Sequence, residues 1–493
     1  MINRREFLKI SGLTAAVMAL AACSPSRSFK IPALATGTSE PTIQPDDVLI
    51  PRALRRILFA PTPDDLTHAQ QIGLDAFIEE QLAPETIPDP DLGSHLATYE
   101  TLGMDPAQLS QVTPVQKPGL QLVQATLVRA VYSQCQLYEL MVDFWSNHFN
   151  IYLDKGGDKY LKTIDDRQVI RPNALGSFPA LLSASAHSPA MLIYLDNALS
   201  NKSAPNENYA RELMELHTVS VDAGYTQGDV HEVARALTGW TISGARTQNP
   251  GSFLFDAKTH DDGAKMILGV NFPASQGIKD GEQLLSILGS APSTAQFISR
   301  KLVQRFVADD PPASLVASAA ATFSKTGGHI TKVMGVILHS PEFKTSLGLK
   351  IKRPFEFIVS AIRASGAAFK PDLPTMGMLD LMGQPPFGWE APNGFPDAAG
   401  AWITTNGVLS RWNYALAMAS NALKDTQVDA SMLVPGPANN ADGIDALSIR
   451  LLGERLPDLE RQIIVDFAGN SPFNTQAPAL MALILATSDF FYR

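Results

Sequence analysis

The sequence is poor in the features that fix a reaction or a covalent framework. Its 493 residues include only two cysteines, Cys23 and Cys135, which leaves no basis for a disulfide network. It contains no P-loop, no G-x-S-x-G elbow, no C-x-x-C pair and no H-E-x-x-H motif. Stability must therefore come from packing, and an active site has to be sought in single residues rather than in a known motif.

Positive charge is also in the minority. Lysine and arginine number 39 against 49 aspartates and glutamates, which gives a formal net charge of −10. This acidic balance argues against nucleic acid and against an anionic membrane surface as partners. With 45% hydrophobic and 18% charged residues, the composition fits an exported globular protein with enough chain for a large core.

The N-terminus carries the pattern of a twin-arginine export signal. Arg4 and Arg5 stand one residue before Phe-Leu-Lys, and an apolar run follows at residues 10–22. The run is shorter than the roughly 20 residues of a membrane span, so residues 1–23 are predicted to be a signal peptide. The run ends in Leu-Ala-Ala-Cys, which predicts cleavage before Cys23 and lipidation of its thiol. The alternatives are a plain signal peptide cut elsewhere or a short uncleaved anchor.

Three expectations follow for the location of the anchor, for a cofactor and for the segment after the signal peptide. Ser24 after the lipidated cysteine mildly favours the outer over the inner membrane as the site of the anchor. The twin-arginine route exports folded proteins, which favours a cofactor, such as a divalent metal, bound before export. Residues 24–45 are rich in Ser, Pro and Thr and are predicted to be a flexible tether.

The remaining chain, residues 46–493, is predicted to be mainly α. Helical periodicity dominates a large multi-helix body, with a sub-boundary expected near residues 350–370. One long helix is predicted over residues 117–150. At residues 252–270, two short apolar runs flank His-Asp-Asp-Gly and predict one small β-hairpin that folds over neighbouring helices or lies on the surface.

The chain is organised around residues 206–240, which read as two helices joined by a turn. Asn206 is a predicted N-cap, and the first helix is expected to run to about Val221. Thr226 is predicted to cap the second helix, with Asp229 as its capping-box partner.

The first of these helices carries the candidate catalytic carboxylates. Glu212 lies at the edge of its polar face, where a half-buried glutamate can have a raised pKa and act as a general acid. Glu215 is the candidate second carboxylate. The alternative is that Glu207, Arg211 and Glu215 form a solvated ladder of ion pairs, each contributing about 0.2–0.5 kcal/mol.

Two histidines fall on apolar helix faces, where an imidazole needs a hydrogen-bond partner. His217 lies on the apolar side of the first central helix. His148 lies on the apolar face of the helix predicted over residues 117–150, close to its end. Both are candidate catalytic residues or metal ligands, with a pKa moved by burial. The alternative for each is a core histidine bonded to the backbone.

Further candidates complete the predicted site. His260 and Asp261, near the tip of the predicted hairpin, are candidate metal ligands together with His148 and His217. Trp145 is either core or a stacking surface for sugar rings. The candidate binding residues are Arg211, Asn208, Trp145 and Trp240.

The chain resembles a known bacterial family. The motifs NENYARELMELHT and GYTQGDVHEVARALTGW, with DFWSNHFNIY, SPAMLIYLDN, HDDGAKMILG, RKLVQRFV, KRPFEFIVSAIRA and PNGFPD, are similar to those of the domain of unknown function 1800 family. The resemblance covers most of the chain after about Pro51. It implies kinship and export but no reaction. Relatives are often encoded beside secreted proteins of the alkaline-phosphatase-like class, which implies an exported partner.

Two functional hypotheses remain, so whether the protein is an enzyme stays open. The first is a lipid-anchored hydrolase acting on an envelope or extracellular polymer through a Glu/His site, with or without a metal. It requires that His148 and His217 meet a free acidic group in one pocket. The second is a non-catalytic scaffold or partner of another exported protein, which predicts an exposed apolar surface and carboxylates paired by Arg211 and Arg235.

Overall fold

The structure, a computed structural model, describes residues 46–244, 247 and 249–493. The predicted signal peptide, the tether and the lipidation residue Cys23 lie outside the described residues. Within the described ranges, no helix is both long enough and apolar enough to cross a membrane.

The described chain is mainly α, as predicted, and divides into two compact units. The central unit comprises Ile78–Ser340 and Pro385–Asp397. The terminal unit comprises the described part of Met1–Phe77, together with Pro341–Gln384 and Ala398–Arg493. The chain passes from the central to the terminal unit at Pro341, shortly before the predicted sub-boundary.

The α-helices follow one another with short connections. Those up to residue 240 are α1 Asp46–Ile57, α2 Pro63–Ile72, α3 Leu74–Gln81, α4 Leu92–Leu96, α5 Pro106–Leu109, α6 Lys117–Tyr132, α7 Gln136–His148, α8 Asp158–Asp165, α9 Arg171–Asn173, α10 Phe178–Ala186, α11 Pro189–Tyr194, α12 Glu207–Glu215 and α13 Gln227–Ala236. A π-helical segment, Asp166–Ile170, joins α8 to α9. Short 3-10 turns lie at Pro84–Thr86, Glu100–Gly103, Asn197–Leu199 and Val221–Ala223.

The later helices complete both units. They are α14 Lys279–Ser290, α15 Pro292–Phe306, α16 Ala313–Lys325, α17 Ile330–Leu338, α18 Pro341–Thr345, α19 Pro354–Ser365, α20 Leu373–Leu381, α21 Ala399–Trp402, α22 Thr405–Ala419, α23 Asn440–Leu452, α24 Asp458–Ala468, α25 Phe473–Leu485 and α26 Ser488–Phe491, with a 3-10 turn at Ala430–Met432. Every residue of α19 is buried, so this helix forms the core of the terminal unit. Helix α7 is mostly buried and forms part of the core of the central unit.

The long helix predicted over residues 117–150 is two helices, α6 and α7. The Asp89 carboxylate accepts hydrogen bonds from the Ser133 hydroxyl at 2.7 Å and from the Gln134 N–H at 3.2 Å. The Gln136 side chain donates to the carbonyls of Ala130 and Ser133, at 3.0 and 2.8 Å. These side-chain bonds take over backbone groups that a continuous helix would pair, so α6 ends at Tyr132.

Over the described residues, the β structure consists of three two-stranded antiparallel sheets. Strand β1 (Trp240–Ile242) pairs with β2 (Phe253–Phe255), β3 (Lys265–Ile267) with β4 (Val270–Phe272), and β5 (Ala368–Phe369) with β6 (Thr426–Gln427). In register, Trp240 lies opposite Phe255, and Lys265 lies opposite Phe272.

The two runs predicted to pair across His-Asp-Asp-Gly belong to different hairpins. Leu268 and Gly269 both have positive φ, 51° and 78°, which is the two-residue turn that closes β3 onto β4. The ammonium group of Lys265 donates to the carbonyls of Asp261 and Gly263, at 2.5 and 2.8 Å. The loop before β3 is thereby drawn inward instead of forming a hairpin tip.

The caps of the central helix pair lie where the sequence predicts them. The Asn206 side chain accepts hydrogen bonds from the N–H groups of Asn208 and Tyr209. Thr226 and Asp229 form a reciprocal capping box at the start of α13. Both caps satisfy helix N–H groups that have no partner within the helix.

Helix α12 ends at Glu215, earlier than the predicted end near Val221. The Thr218 hydroxyl donates to the Leu213 carbonyl at 2.7 Å, which satisfies a backbone acceptor at the end of the helix. Ser220 has a positive φ of 72°, which no helical residue can adopt. His217, two residues beyond this end, is buried in the central unit.

The absence of a side chain at Gly281 allows α14 to pack directly against the Trp240 ring. A Cβ built at Gly281 would lie 2.6 Å from Cε2 of the Trp240 ring, whereas one at Gly289 of the same helix would meet Pro179 Cβ at an ordinary 3.4 Å. We therefore expect Gly281→Ala to lower the free energy of unfolding by about 1–3 kcal/mol through overpacking. Gly289→Ala is expected to raise it slightly, since alanine favours a helix by up to about 1 kcal/mol. Urea unfolding of both variants tests this pair, and equal effects would contradict it.

Candidate active site

A cluster of nitrogen bases forms the interior of the candidate site. His148 ends α7, His217 follows α12, and Lys301 lies on α15. The two imidazole rings are 6.1 Å apart between centroids, and both histidines are at most 2% exposed. The Phe149 ring lies against both, 4.6 Å from His148 and 5.0 Å from His217. The tertiary fold therefore gathers residues far apart in the sequence.

The hydrogen bonds of His148 fix its tautomer. Its Nε2 lies 3.2 Å from the backbone carbonyl oxygen of His217, which can only accept, so Nε2 carries the proton. The lone pair of Nδ1 then faces the Lys301 ammonium nitrogen at 2.8 Å. Burial, and then the charge of Lys301, lower the pKa of His148 well below 6.5, so the ring is neutral at neutral pH.

The other two bases are also shifted toward their neutral forms. Burial, followed by the charge of Lys301, lowers the pKa of His217 to about 3. Its Nε2 has no hydrogen-bond partner among the described residues. Burial lowers the pKa of Lys301 to about 8, against a smaller opposing effect of Asp397.

The partner of the imidazoles differs from the one that the hydrolase hypothesis requires. His148 and His217 do come together, but the group that His148 meets is the amine of Lys301 rather than a free carboxylate. Sequence reasoning missed Lys301 because a lysine on an amphipathic helix is normally solvated. The motif RKLVQRFV, which carries part of the family resemblance, contains it.

Glu212 lies on the other side of α12 in a different environment. The residue is half-buried, and its carboxylate makes no hydrogen bond or ion pair with any described residue. Burial raises the pKa of Glu212 above 4.5, and the charge of Glu215 adds to this, with Arg211 opposing. An unpaired carboxyl group with a raised pKa keeps its proton to a higher pH than an ordinary glutamate and is suited to act as a general acid.

Tyr194 marks the point toward which several segments converge. Its hydroxyl donates to the Glu390 carbonyl at 2.7 Å. Burial, and to a smaller extent the charges of Glu212, Asp158 and Glu390, raise the pKa of Tyr194 to about 12 against an opposing hydrogen bond with Asn150. Carboxyl groups from α8, from α12 and from the loop at residues 385–397 thus lie within electrostatic range of one phenol.

Asp158 is a buried carboxyl group that the sequence did not reveal. It is 0% exposed, and neither of its carboxylate oxygens has a hydrogen-bond partner among the described residues. Burial, followed by the charge of Asp165, raises its pKa to about 8. An aspartate in the first turn of a helix is ordinarily an exposed, favourable residue, so nothing in the sequence distinguished it.

The predicted ion-pair ladder on α12 is not formed. Arg211 donates to the Gln227 side chain at 2.7 Å, and Glu207 lies 2.9 Å from Nδ1 of His231. Glu215 accepts a hydrogen bond of 3.4 Å from the Tyr225 hydroxyl. These bonds link α12 with α13 and the turn between them, whereas the ladder would have run along one helix. Asn208 is exposed.

The two tryptophans proposed for binding are core residues. Trp145 is 0% exposed and donates its indole N–H to the Ala174 carbonyl at 2.9 Å. Trp240 is also 0% exposed and packs against His187 and Phe253, with ring centroids 4.4 and 5.3 Å away. Neither ring has a free face for a sugar, so of the two alternatives given for Trp145 the structure supports the core residue and not the stacking surface.

His260 and Asp261 belong to a polar network near β3. The His260 ring is buried, with Nδ1 2.8 Å from the Thr238 carbonyl and Nε2 3.3 Å from the Asp280 carboxylate. Lys265 donates to the same carboxylate at 2.6 Å. Asp261 binds Arg235 through two hydrogen bonds of 2.8 and 3.1 Å, which lower its pKa to about 2. These hydrogen bonds anchor the β3–β4 hairpin.

The predicted metal ligands do not form one set. Among the described residues there is no group of three or more His, Cys, Asp or Glu side chains that could hold a metal ion. His148 and His217 are close together, but His260 and Asp261 have the separate partners given above. A divalent metal therefore remains a prediction from the sequence alone.

The fold and the site define a mainly α protein in which acidic and basic groups with shifted pKa values lie around α12. The chain belongs to the family described as "Protein of unknown function (DUF1800)", whose sequence model matches residues 52–492. No curated protein and no solved structure matches the chain. Segments that carry the resemblance, including DFWSNHFNIY and SPAMLIYLDN, meet here, since they supply His148, Asn150 and Tyr194.

Proposed function

We propose that the protein is an exported, lipid-anchored hydrolase acting on an envelope or extracellular polymer, with Glu212 as its general acid. The observation that carries the proposal is the state of the Glu212 carboxyl group. It is half-buried, has no hydrogen-bonded partner among the described residues, and has a raised pKa. Hydrolysis of a polymer linkage needs such a proton donor for the leaving group.

The neighbouring groups have distinct roles in this proposal. Glu215, one turn further along the same helix, is the second carboxylate and raises the pKa of Glu212 by its charge. Because His148 meets the amine of Lys301 and not the free acidic group that the sequence hypothesis required, the two histidines are not assigned as acid or base here, and both are positioning residues. His148 holds the carbonyl of His217, and the His217 N–H donates to the Glu212 carbonyl at 3.1 Å, so the two histidines brace the end of α12.

The cellular location is part of the same proposal. The twin-arginine pattern and the Leu-Ala-Ala-Cys sequence before Ser24 support export and lipidation at Cys23. An anchor on the envelope places the enzyme beside polymers of that compartment. The acidic net charge of −10 supports a substrate other than nucleic acid.

A substrate panel tests the hydrolase proposal. Purified protein is incubated with peptidoglycan, neutral and acidic polysaccharides and denatured protein, and released fragments are measured by mass spectrometry. Release from one polymer class by the wild type, at a rate well above that of heat-inactivated protein, is expected. No release from any class would contradict the proposal.

One observation favours the alternative of a non-catalytic partner protein. In the terminal unit, helix α20 carries Leu373 and Leu381 at 72% and 63% exposure. Arg235 also pairs with both Glu232 and Asp261, whereas Arg211, the other arginine that the scaffold hypothesis named, donates to the Gln227 side chain. Co-purification of a stoichiometric exported partner that is lost in Leu373→Gln/Leu381→Gln would support this alternative.

A further inference from the structure

Lys301 and His148 have the arrangement of an activated nucleophile. The Lys301 nitrogen is 2.8 Å from Nδ1 of His148, and the Nε2–H of His148 is held by the His217 carbonyl at 3.2 Å. A nucleophile beside a base, with the base oriented by a third group, is the general geometry of covalent catalysis. Because the His217 carbonyl holds the proton of His148 on Nε2, Nδ1 keeps a lone pair that can accept a proton from the Lys301 amine.

The surroundings favour an unprotonated amine. No carboxylate of the described residues forms an ion pair with Lys301, in contrast to Lys162, which is 2.6 Å from Asp165. The Phe297 ring lies 5.5 Å from the Lys301 nitrogen, and His148 is flanked by Phe149. Lys301 as a residue is partly exposed, while its amine lies against the buried ring of His148. Its pKa of about 8 agrees with this environment.

We propose that Lys301 is a nucleophilic amine that binds aldehydes or ketones covalently as an imine, with His148 as the base that carries its proton. The reaction class is independent of the hydrolase proposal, because it uses neither Glu212 nor Glu215.

The step balances without any redox partner. The lone pair of the Lys301 amine attacks the carbonyl carbon, and the electrons of the C=O bond move to the oxygen. One N–H proton passes to Nδ1 of His148 and from there to the alkoxide oxygen, which gives a neutral carbinolamine. The nitrogen lone pair then expels the hydroxyl group, and the second N–H proton, carried by His148, joins that group to form water. The products are an imine on Lys301 and one water molecule.

Reductive trapping tests the proposal on the intact folded protein. The protein is treated at pH 7 with limiting acetaldehyde and sodium cyanoborohydride, and N-ethylation of each lysine is followed by peptide mass spectrometry. Lys301 is expected to be ethylated at least about tenfold faster than exposed lysines, because a larger fraction of its amine is unprotonated. Ethylation of Lys301 no faster than that of exposed lysines would overturn the proposal.

Two controls separate burial from activation by His148. Lys352 is 1% exposed, has a pKa lowered by burial, and lies 3.8 Å from the Phe490 ring with no imidazole partner among the described residues. It is expected to remain unmodified. In a folded His148→Gln variant, the rate at Lys301 is expected to fall at least about fivefold, since glutamine cannot carry the proton. An unchanged rate in that variant would contradict the role of His148, and the comparison among wild-type lysines remains decisive if the variant fails to fold.

Discussion

Replacing Glu212 by glutamine is expected to lower the rate of polymer hydrolysis by about 100-fold or more, as is typical for loss of a general acid. The change keeps the size of the side chain and removes its titratable proton. Because burial and Glu215 raise the pKa of Glu212, the wild-type rate is expected to fall as pH rises through that raised value. Rates measured from pH 4 to 9 on the polymer that the wild type degrades provide the test.

Glu207→Gln is the matched control for this experiment. Glu207 lies on the same helix, but its carboxylate is bound by Gln227 at 2.7 Å and by His231 at 2.9 Å on the exposed surface. This variant is expected to retain the wild-type rate and pH profile. Equal losses in Glu207→Gln and Glu212→Gln would show that the effect is structural rather than catalytic.

Two buried aspartates in the central unit are expected to respond oppositely to neutralisation. Asp158→Asn should raise the free energy of unfolding by about 2–4 kcal/mol near pH 8, because it removes a carboxyl group whose ionisation burial opposes. Asp166→Asn should lower it by about 3–5 kcal/mol, since Arg129 at 3.7 Å would lose its carboxylate partner and Arg171 at 2.8 Å would keep only Glu139.

The pH dependence of each effect follows from the direction of the shift. The folded-state pKa of Asp158 is raised from 3.8 to about 8, so its contribution to stability is complete below about pH 4 and is lost as pH rises through 8. Burial also opposes ionisation of Asp166, but the charges of Arg171 and Arg129 outweigh it and lower its pKa. Its contribution is present above pH 3.8 and is lost as pH falls through the lowered value.

Denaturant unfolding at several pH values measures both variants. The gain from Asp158→Asn should shrink as pH falls from 8 toward 4, whereas the loss from Asp166→Asn should shrink only below about pH 4. A destabilised Asp158→Asn protein at pH 8 would show that the Asp158 carboxylate is satisfied in the folded state, contrary to its unpartnered oxygens.

Local signals in the sequence predicted the two helix caps correctly but missed the end of α12 and the break between α6 and α7. The caps at Asn206 and Thr226 depend only on residues within one helical turn, so their side-chain types were sufficient. The end of α12 depends on the Thr218 hydroxyl and on the positive φ of Ser220, which helical periodicity does not register. The break between α6 and α7 depends on Asp89, which is distant in the sequence.

The composition of the site depended even more on tertiary contacts. Periodicity placed His148 and His217 on apolar faces, and both are buried. It could not show that Lys301 from another helix would reach His148, or that Asp158 would be buried without a hydrogen bond. The same limit applied to Trp145 and Trp240. The sequence around an aromatic residue does not show whether its ring is buried in the core or exposed for binding.

The titration of Glu212 tests the central claim most directly, and it requires no substrate. Protein labelled with carbon-13 at glutamate side-chain carboxyls is titrated by NMR, and the resonance missing from Glu212→Gln identifies the group. A midpoint clearly above 4.5 is expected from burial and from the charge of Glu215. A midpoint at or below 4.5 would contradict the assignment of Glu212 as the general acid.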